Sequence, residues 1–166
     1  MKSAYHISPI LHPVGTILKG NGRPKVEPTI EEALERFRPE PYVSRLNSVY
    51  SRETTDFSML GLDSGYTYRV TIRWDCQRHD ARWIGLLQQA YLKPKVVKTY
   101  LLVVQHWPDW TGDFVEAVSA KYWAGVASGE PLWELLSTEA EVEAQLSNTP
   151  VNATATKGGD AFLLRR

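Results

Sequence analysis

The chain has 166 residues, and its 19 Lys and Arg balance its 19 Asp and Glu, so the formal net charge at pH 7 is zero. A dedicated nucleic-acid binder usually carries a basic excess, and binding to an anionic membrane surface needs a polybasic segment, so neither class is expected. The 43% hydrophobic and 23% charged composition is typical of a folded domain. Cys76 is the only cysteine, which excludes an internal disulfide and favours a cytoplasmic location.

The sequence shows no segment that would place the chain in a membrane. Pro9 and Pro13 interrupt the N-terminus before an apolar stretch of signal-peptide length can form. The longest apolar run, 100–104, is too short to span a bilayer. We therefore expect no membrane partner.

The first third of the chain predicts two short strands and a helix. Residues 5–7 begin a strand that a proline ends two positions later, and 15–18 form a second extended piece. Thr29 and Glu32 fit a capping box at the start of a helix that Pro39 stops. The apolar residues of this helix keep helical spacing, namely Ile30, Ala33, Leu34 and Phe37.

The middle third predicts two strands and a helix. Residues 46–51 alternate in a way typical of a strand, and 66–74 do so more clearly, with aromatic and β-branched residues on one face and Thr and Arg on the other. A helix is predicted from Asp80, as N-cap, to Pro94. Segment 96–104 is apolar and could form either a buried helix or a buried strand.

The last third predicts a helix and two strands. Phe114, Val118 and Tyr122 mark the helix, and Gly125 is placed to cap its C-terminus. The run LWELL at 132–136 predicts a buried strand. Residues 140–146 alternate with glutamates, which indicates a strand with an acidic face, although a helix is the alternative because Ala and Glu favour it.

These elements predict a single α+β domain over residues 1–146, followed by a polar C-terminal tail at 147–166. No long linker or internal repeat divides the chain. The expected fold is a split, mostly antiparallel β-sheet with helices packed on it.

Single residues give several candidate sites, each with a structural alternative. His6 could bond a ligand hydroxyl from the exposed side of the first strand, or could be a structural histidine. Glu134, between Leu132 and Leu136, could be a carboxylate at the edge of a cleft or a surface residue at a strand edge. Arg45 could donate two hydrogen bonds to phosphate oxygens, or could be a surface arginine. Tyr50 could stack on a flat heterocycle, or could be a core tyrosine.

Other residues are weaker candidates. Cys76, His79 and Asp80 are at most half of a metal site, because no second ligand pair has matching spacing, and we expect no metal. Four tryptophans are interpreted as core or cleft wall rather than as platforms for nucleic-acid bases: Trp107, Trp110, Trp123 and Trp133.

The order of the motifs is more informative than any one of them. YHIS is followed by VGTILKG, a helix, SRLNSVY and the strand YTYRV, and late in the chain YWAG leads into LWELL. Over residues 4–146 this order resembles the compact ADP-ribosyltransferase-like proteins of bacteria and phages. The resemblance is to the His-Tyr-Glu branch, which is related to diphtheria toxin and the poly-ADP-ribose polymerases.

The resemblance implies a role for each candidate. His6 matches the histidine that hydrogen-bonds a ribose hydroxyl of NAD, Tyr50 matches the aromatic that packs against nicotinamide, and Glu134 matches the catalytic glutamate. Arg45 would hold the pyrophosphate. Glu139 competes with Glu134 for the acid. The sequence departs from the family pattern at Ile7, where glycine is usual, and at 59–60, where a second tyrosine is usual.

The function implied is NAD-dependent ADP-ribosyl transfer to an unknown acceptor, expected to be a macromolecule, in the cytoplasm of the host cell if a phage encodes the protein. The alternatives are an NAD hydrolase with the same site, and a non-catalytic binding or phage structural protein on the same fold.

The zero net charge is a cancellation between two segments. From 69 to 98 there are seven Lys and Arg against two Asp, and from 127 to 146 there are five Glu and no Lys or Arg. If the two segments meet in space, they could hold the phosphates of a dinucleotide near a carboxylate.

Overall fold

A computed structural model of the chain describes residues 1–57, 65–73, 75–100 and 107–149. Within these ranges it shows the α+β fold that the sequence predicts. The elements are β1 (Lys2–Ser8), β2 (Ile17–Lys19), α1 (Pro28–Arg36), a 3₁₀ turn (Arg45–Asn47), β3 (Val49–Ser51), β4 (Gly65–Ile72), β5 (Gln77–Asp80), α2 (Arg82–Tyr100), α3 (Gly112–Trp123), β6 (Trp133–Ser137) and β7 (Glu139–Thr149).

The strands form two antiparallel sheets. The first has the order β1-β4-β7-β2 and the second the order β3-β6-β5. Tyr5 in β1 and Arg52, which follows β3, join the sheets through an isolated bridge with N–H to carbonyl distances of 2.8 and 2.7 Å. The prediction of a split antiparallel sheet is therefore confirmed.

The second sheet has a core on each of its faces. Val49 and Leu135 face the first sheet and pack with its buried residues, among them Ala4, Tyr68 and Val70. Leu136 and the ring of Tyr50 are on the other face and pack against the helices. Because side chains alternate along a strand, Glu134 shares the helix-facing side with Leu136. The indole of Trp123 ties α3 to α1 by donating to the Leu34 carbonyl at 2.7 Å.

Two predicted helix boundaries are wrong. Helix α1 begins at Pro28 with Glu27 at its N-cap and has no side-chain cap. Thr29 lies inside the first turn, where its hydroxyl donates to the Glu27 carboxylate at 3.3 Å, so it is not the N-cap of a capping box. Helix α2 continues through Pro94 to Tyr100. Proline removes one hydrogen bond, but buried side chains of the preceding turns anchor the helix. Residues 96–100 are therefore helical, and 101–104 lie outside the described residues.

The helix and strands of the last third match their predictions better. Gly125 has a φ of 65°, its N–H donates to the Tyr122 carbonyl at 3.0 Å, and it ends α3 as expected. Strand β6 is confirmed, and β7 is a strand rather than the alternative helix. β7 includes 147–149, which the sequence assigns to the tail; 150–166 lie outside the described residues.

The strands of the middle third differ in how well they agree with the strands predicted from the sequence. β4 keeps the predicted alternation, with Tyr68, Val70 and Ile72 buried, whereas Trp74 lies outside the described residues. The strand predicted from Leu46 begins only at Val49, after the 3₁₀ turn. The sequence does not predict β5.

Gly20 brings the 3₁₀ turn close to the end of β2. A Cβ at this position would lie 2.0 Å from the carbonyl carbon of Asn47, so only glycine fits. The N–H of Gly22 donates to the Leu46 carbonyl at 2.9 Å. These contacts fix the turn that carries Arg45.

The basic and acidic segments do meet, but their charges pair with each other. Arg69 lies 3.0 Å from Glu143, and Arg73 contacts Glu141, across the β4–β7 ladder on an exposed surface. Arg82 lies 3.8 Å from Glu130. Because these arginines face protein carboxylates, the expectation that the two segments surround the phosphates of a dinucleotide is not supported. In the part of the chain that the structure describes, no helix is both long and apolar enough to cross a membrane.

Candidate active site

Glu134 projects from β6 toward the helices, with 9% of its side chain exposed. Its Oε1 accepts a 2.5 Å hydrogen bond from the Tyr122 hydroxyl and a second bond from Nη1 of Arg45. Its Oε2 has no hydrogen-bond partner among the described residues. One carboxylate oxygen is thus fixed, and the other is left to accept a hydrogen bond.

Arg45 is buried at the start of the 3₁₀ turn, which Ser44 caps by accepting from the Leu46 N–H at 3.2 Å. Its Nε donates to Oε1 of Glu31 at 2.6 Å, and its Nη1 also bonds the hydroxyl of Tyr122. The guanidinium lies between two rings, 5.0 Å from the centroid of Tyr50 and 5.1 Å from that of Tyr122. These contacts leave it fully enclosed by the protein.

The charges of this cluster do not cancel. Glu31 and Glu134 are two carboxylates around one guanidinium, so the three residues together carry one net negative charge. Burial disfavours the charged form of Arg45, but Glu134 and the other acidic neighbours raise its pKa well above the ordinary value. Burial raises the pKa of Tyr122, with Glu134 adding to the effect, so its hydroxyl stays protonated and donates.

Tyr50 lies in β3 opposite Leu136 and is half-buried. Its hydroxyl donates to the carbonyl of Arg45 at 2.9 Å, and one face of its ring meets the Arg45 guanidinium. The ammonium of Lys25 lies 5.9 Å from the ring centroid. Burial raises the pKa of Tyr50, so the hydroxyl remains a donor.

His6 shares the inward face of β1 with the buried Ala4, which fits the structural alternative better than a position on the exposed side of the strand. Its Nδ1 lies 2.8 Å from the carbonyl of Tyr50, and a carbonyl can only accept, so Nδ1 carries the hydrogen. Burial lowers the pKa of His6, which favours the neutral ring. His6 therefore connects the first sheet to the second through Tyr50.

The structure links the four candidate residues into one chain of contacts. His6 bonds the backbone of Tyr50, the Tyr50 ring contacts Arg45, and Arg45 bonds Glu134. Arg45 is not placed to hold the pyrophosphate that the resemblance assigns to it, because its guanidinium is 1% exposed and already bonded to carboxylates. Arg45 orients Glu134 instead.

The competing acid, Glu139, lies elsewhere. It begins β7 in the first sheet and pairs with Lys19 at 2.8 Å on the surface. No hydrogen bond or ion pair joins it to the cluster around Arg45 in the part of the chain that the structure describes. Of the two glutamates, Glu134 is the one that belongs to the cluster around Arg45.

Glu31 and Tyr122 belong to the cluster but are not predicted as site residues from the sequence. Tyr122 was predicted as a core residue of α3, and it is buried, but its hydroxyl holds Glu134. Glu31 is 2% exposed and follows Ile30 on the buried face of α1. An acid next to the apolar stripe of a helix is the signal that could have indicated a buried partner.

The three residues considered as metal ligands differ in their exposure and in their hydrogen-bond partners. Cys76 is exposed, and His79 is buried with Nδ1 bonded to the Tyr122 carbonyl at 2.9 Å. Asp80 accepts from the backbone N–H groups of Arg82, Ser128 and Leu132 at 2.7–3.0 Å. Burial disfavours its charge, but these hydrogen bonds lower its pKa. Asp80 thereby holds the loop between α3 and β6.

Two of the four tryptophans have the predicted role in the core. Trp123 is buried and Trp110 packs against the same core. Trp133 lies under the guanidinium of Arg78, 3.5 Å from its ring centroid.

No known protein family matches this chain, and no curated protein is significantly similar to it.

Proposed function

We propose that the protein transfers ADP-ribose from NAD to a macromolecular acceptor, with Glu134 as the catalytic residue. The observation that carries this proposal is the asymmetric environment of the Glu134 carboxylate. Tyr122 and Arg45 hold Oε1, and Oε2 is without a partner among the described residues. A carboxylate held in this way can accept a hydrogen bond from a ribose hydroxyl in one defined direction.

The reaction requires a negative charge at this place. When the bond between nicotinamide and C1′ of the ribose breaks, its electron pair leaves with nicotinamide and C1′ becomes cationic. A nucleophilic atom of the acceptor then forms a bond to C1′ and loses its proton. The net negative charge shared by Glu31, Arg45 and Glu134 would stabilise the cation in a site of low dielectric.

Tyr50 and His6 would bind the substrate. The Tyr50 ring is half-buried, Arg45 covers one of its faces and the Lys25 ammonium lies 5.9 Å from its centroid, so nicotinamide would contact the part of the ring that these two cations leave exposed. Nδ1 of His6 is bonded to Tyr50, so Nε2 is the ring nitrogen that can accept a hydrogen bond from a ribose hydroxyl.

The burial of the cluster favours a second candidate function. Arg45 and Glu31 are almost completely enclosed, and little of Glu134 reaches solvent. An ion-pair network of this kind could serve only to join α1, α3 and β6. In that case the protein would be a non-catalytic binding protein, or a structural component of a phage. In an enzyme, the side chains that enclose Oε2 of Glu134 must move aside when NAD binds, while Tyr122 and Arg45 continue to hold Oε1.

Incubation with NAD labelled in its adenylate phosphate, in the presence of cell extract, separates the alternatives. A transferase releases nicotinamide and labels a macromolecule, whereas an NAD hydrolase releases nicotinamide without labelling one. Glu134→Gln should abolish both signals. Glu139→Gln, a matched acid-to-amide change in the other sheet, should leave both unchanged. If the wild-type protein gives neither signal, the non-catalytic function is favoured.

A further inference from the structure

His79 lies directly opposite Glu134 in the β5–β6 ladder. Its ring stacks on that of Tyr122, with centroids 4.7 Å apart and planes 26° apart. Its Nδ1 lies 2.9 Å from the Tyr122 carbonyl. Through these two contacts His79 holds both the ring and the backbone of the residue whose hydroxyl bonds Glu134.

The hydrogen bond to the Tyr122 carbonyl fixes the tautomer of the neutral His79 ring. Because the carbonyl only accepts, Nδ1 carries the hydrogen, and in the neutral ring Nε2 has a lone pair. Nε2 is buried and no described residue donates to it. A second proton would therefore create a buried N–H group that needs an acceptor.

The groups around His79 indicate which acceptor a charged ring would take. Glu134 faces it from β6, Arg45 from the 3₁₀ turn and Tyr122 from α3, while Tyr42 contacts the ring from the segment after α1. Trp123 packs edge-on against the ring, 5.1 Å away, and carries no charge. Arg45 repels a charged imidazole and Glu134 attracts it, so Glu134 is the available acceptor.

We propose that neutral His79 is a positioning residue for Glu134, acting through Tyr122, and that protonated His79 draws the Glu134 carboxylate away from the Tyr122 hydroxyl. The kinetic consequence rests on the proposed function, but the coupling between His79 and Tyr122 does not. Burial lowers the pKa of His79, which is consistent with a neutral ring near pH 7.

Two variants that cannot titrate test this inference. His79→Phe keeps a ring to stack on Tyr122, and the Tyr122 carbonyl keeps the N–H of Gly125 as a donor. His79→Asn keeps an N–H donor without the ring, so it remains available if the phenylalanine variant does not fold. His12→Gln is the control, because His12 bonds Ser8 and lies outside the cluster.

The first readout is NMR, which needs no substrate. The His79 imidazole resonance, assigned by its loss in the variants, should titrate below 6.5, its ordinary pKa. The Tyr122 ring resonances, assigned with Tyr122→Phe, should move with the same midpoint, and they should lose this transition in both variants of His79. If Tyr122 does not respond, or if His79 titrates at or above 6.5, the inference is overturned.

The second readout is nicotinamide release between pH 5 and 8. His6 and His79 both titrate below 6.5, so kcat of the wild type and of His12→Gln should fall by more than the tenfold per pH unit of a single protonation once both are charged. In either His79 variant the decline should become shallower, because only the part that His6 causes remains. An unchanged decline overturns the inference. If the wild type releases no nicotinamide at any pH, the proposed function fails, and the NMR result still decides the coupling.

Discussion

The hydroxyl of Tyr122 donates a 2.5 Å hydrogen bond to Oε1 of Glu134, and this bond connects α3 to β6. The two residues are separated by a loop whose backbone Asp80 holds through hydrogen bonds to Ser128 and Leu132. The orientation of the Glu134 carboxylate therefore depends on how α3 packs against the second sheet.

Tyr122→Phe removes that hydrogen bond and keeps the ring. We expect kcat for nicotinamide release to fall by up to about 100-fold, because the carboxylate is less well oriented. The free energy of unfolding should fall by only about 1–2 kcal/mol, since one buried hydroxyl is lost. Steady-state kinetics and urea denaturation measure the two effects. A loss of stability without a change in kcat would show that Tyr122 only stabilises the fold.

Arg45→Met leaves Glu31 and Glu134 without their shared cation. Because both carboxylates are buried, we expect the free energy of unfolding to fall by about 3–5 kcal/mol, measured by urea denaturation. Arg69→Met is the matched control. It breaks an exposed pair with Glu143, where 49% of the arginine side chain is accessible, and should cost less than about 1 kcal/mol. Equal losses in the two variants would contradict the account of the cluster.

The sequence predicts those parts of the fold that depend on the backbone conformation or on the alternation of neighbouring residues. Gly125 marks the end of α3 because its positive φ suits glycine, and the alternation in β4 and β7 follows from one buried and one solvated face. The prediction that α2 ends at Pro94 is wrong. Proline removes one backbone hydrogen bond, but the buried residues of the earlier turns hold the helix.

The candidate site was predictable only in part. Glu134, Tyr50 and His6 could be selected from the order of motifs, but the burial of Arg45 depends on partners 14 and 89 residues away. No local pattern contains such pairings. Strand β5 was missed for the same reason, because its sequence QRHD is polar and becomes buried only through contacts with α3 and β6.

The pH dependence of stability follows from two histidines. Burial lowers the folded-state pKa of His6 and of His79 from 6.5, so the unfolded chain binds more protons just below that pH. The free energy of unfolding should therefore fall as the pH decreases from 7.5 to 5.5, by at most about 1.4 kcal/mol per pH unit for each histidine. Urea denaturation at several pH values measures this slope, and His79→Phe should reduce it. A flat or opposite slope would be inconsistent with two buried neutral histidines.

Gly20→Ala tests the contact that positions the 3₁₀ turn. Its Cβ would overlap the backbone of Asn47, so we expect a loss of about 2 kcal/mol or more in the free energy of unfolding. Gly112→Ala is the control, because it lies at the start of α3 with no atom within 4 Å of the new Cβ. That change should be neutral or stabilise by up to about 1 kcal/mol. Thermal denaturation compares them, and tolerance of alanine at position 20 would contradict the described approach of β2 to the turn.

The rate of nicotinamide release by Glu134→Gln, measured together with the dissociation constant for NAD, tests the central claim most directly. Glutamine keeps the shape of the side chain and removes its charge. We predict that kcat falls by at least about 100-fold, because the charge acts on the cationic ribose in the transition state. The dissociation constant should change by less than about threefold, as is characteristic of an interaction made only in the transition state. Equal rates for the variant and the wild type, or no release by the wild type, would contradict the account.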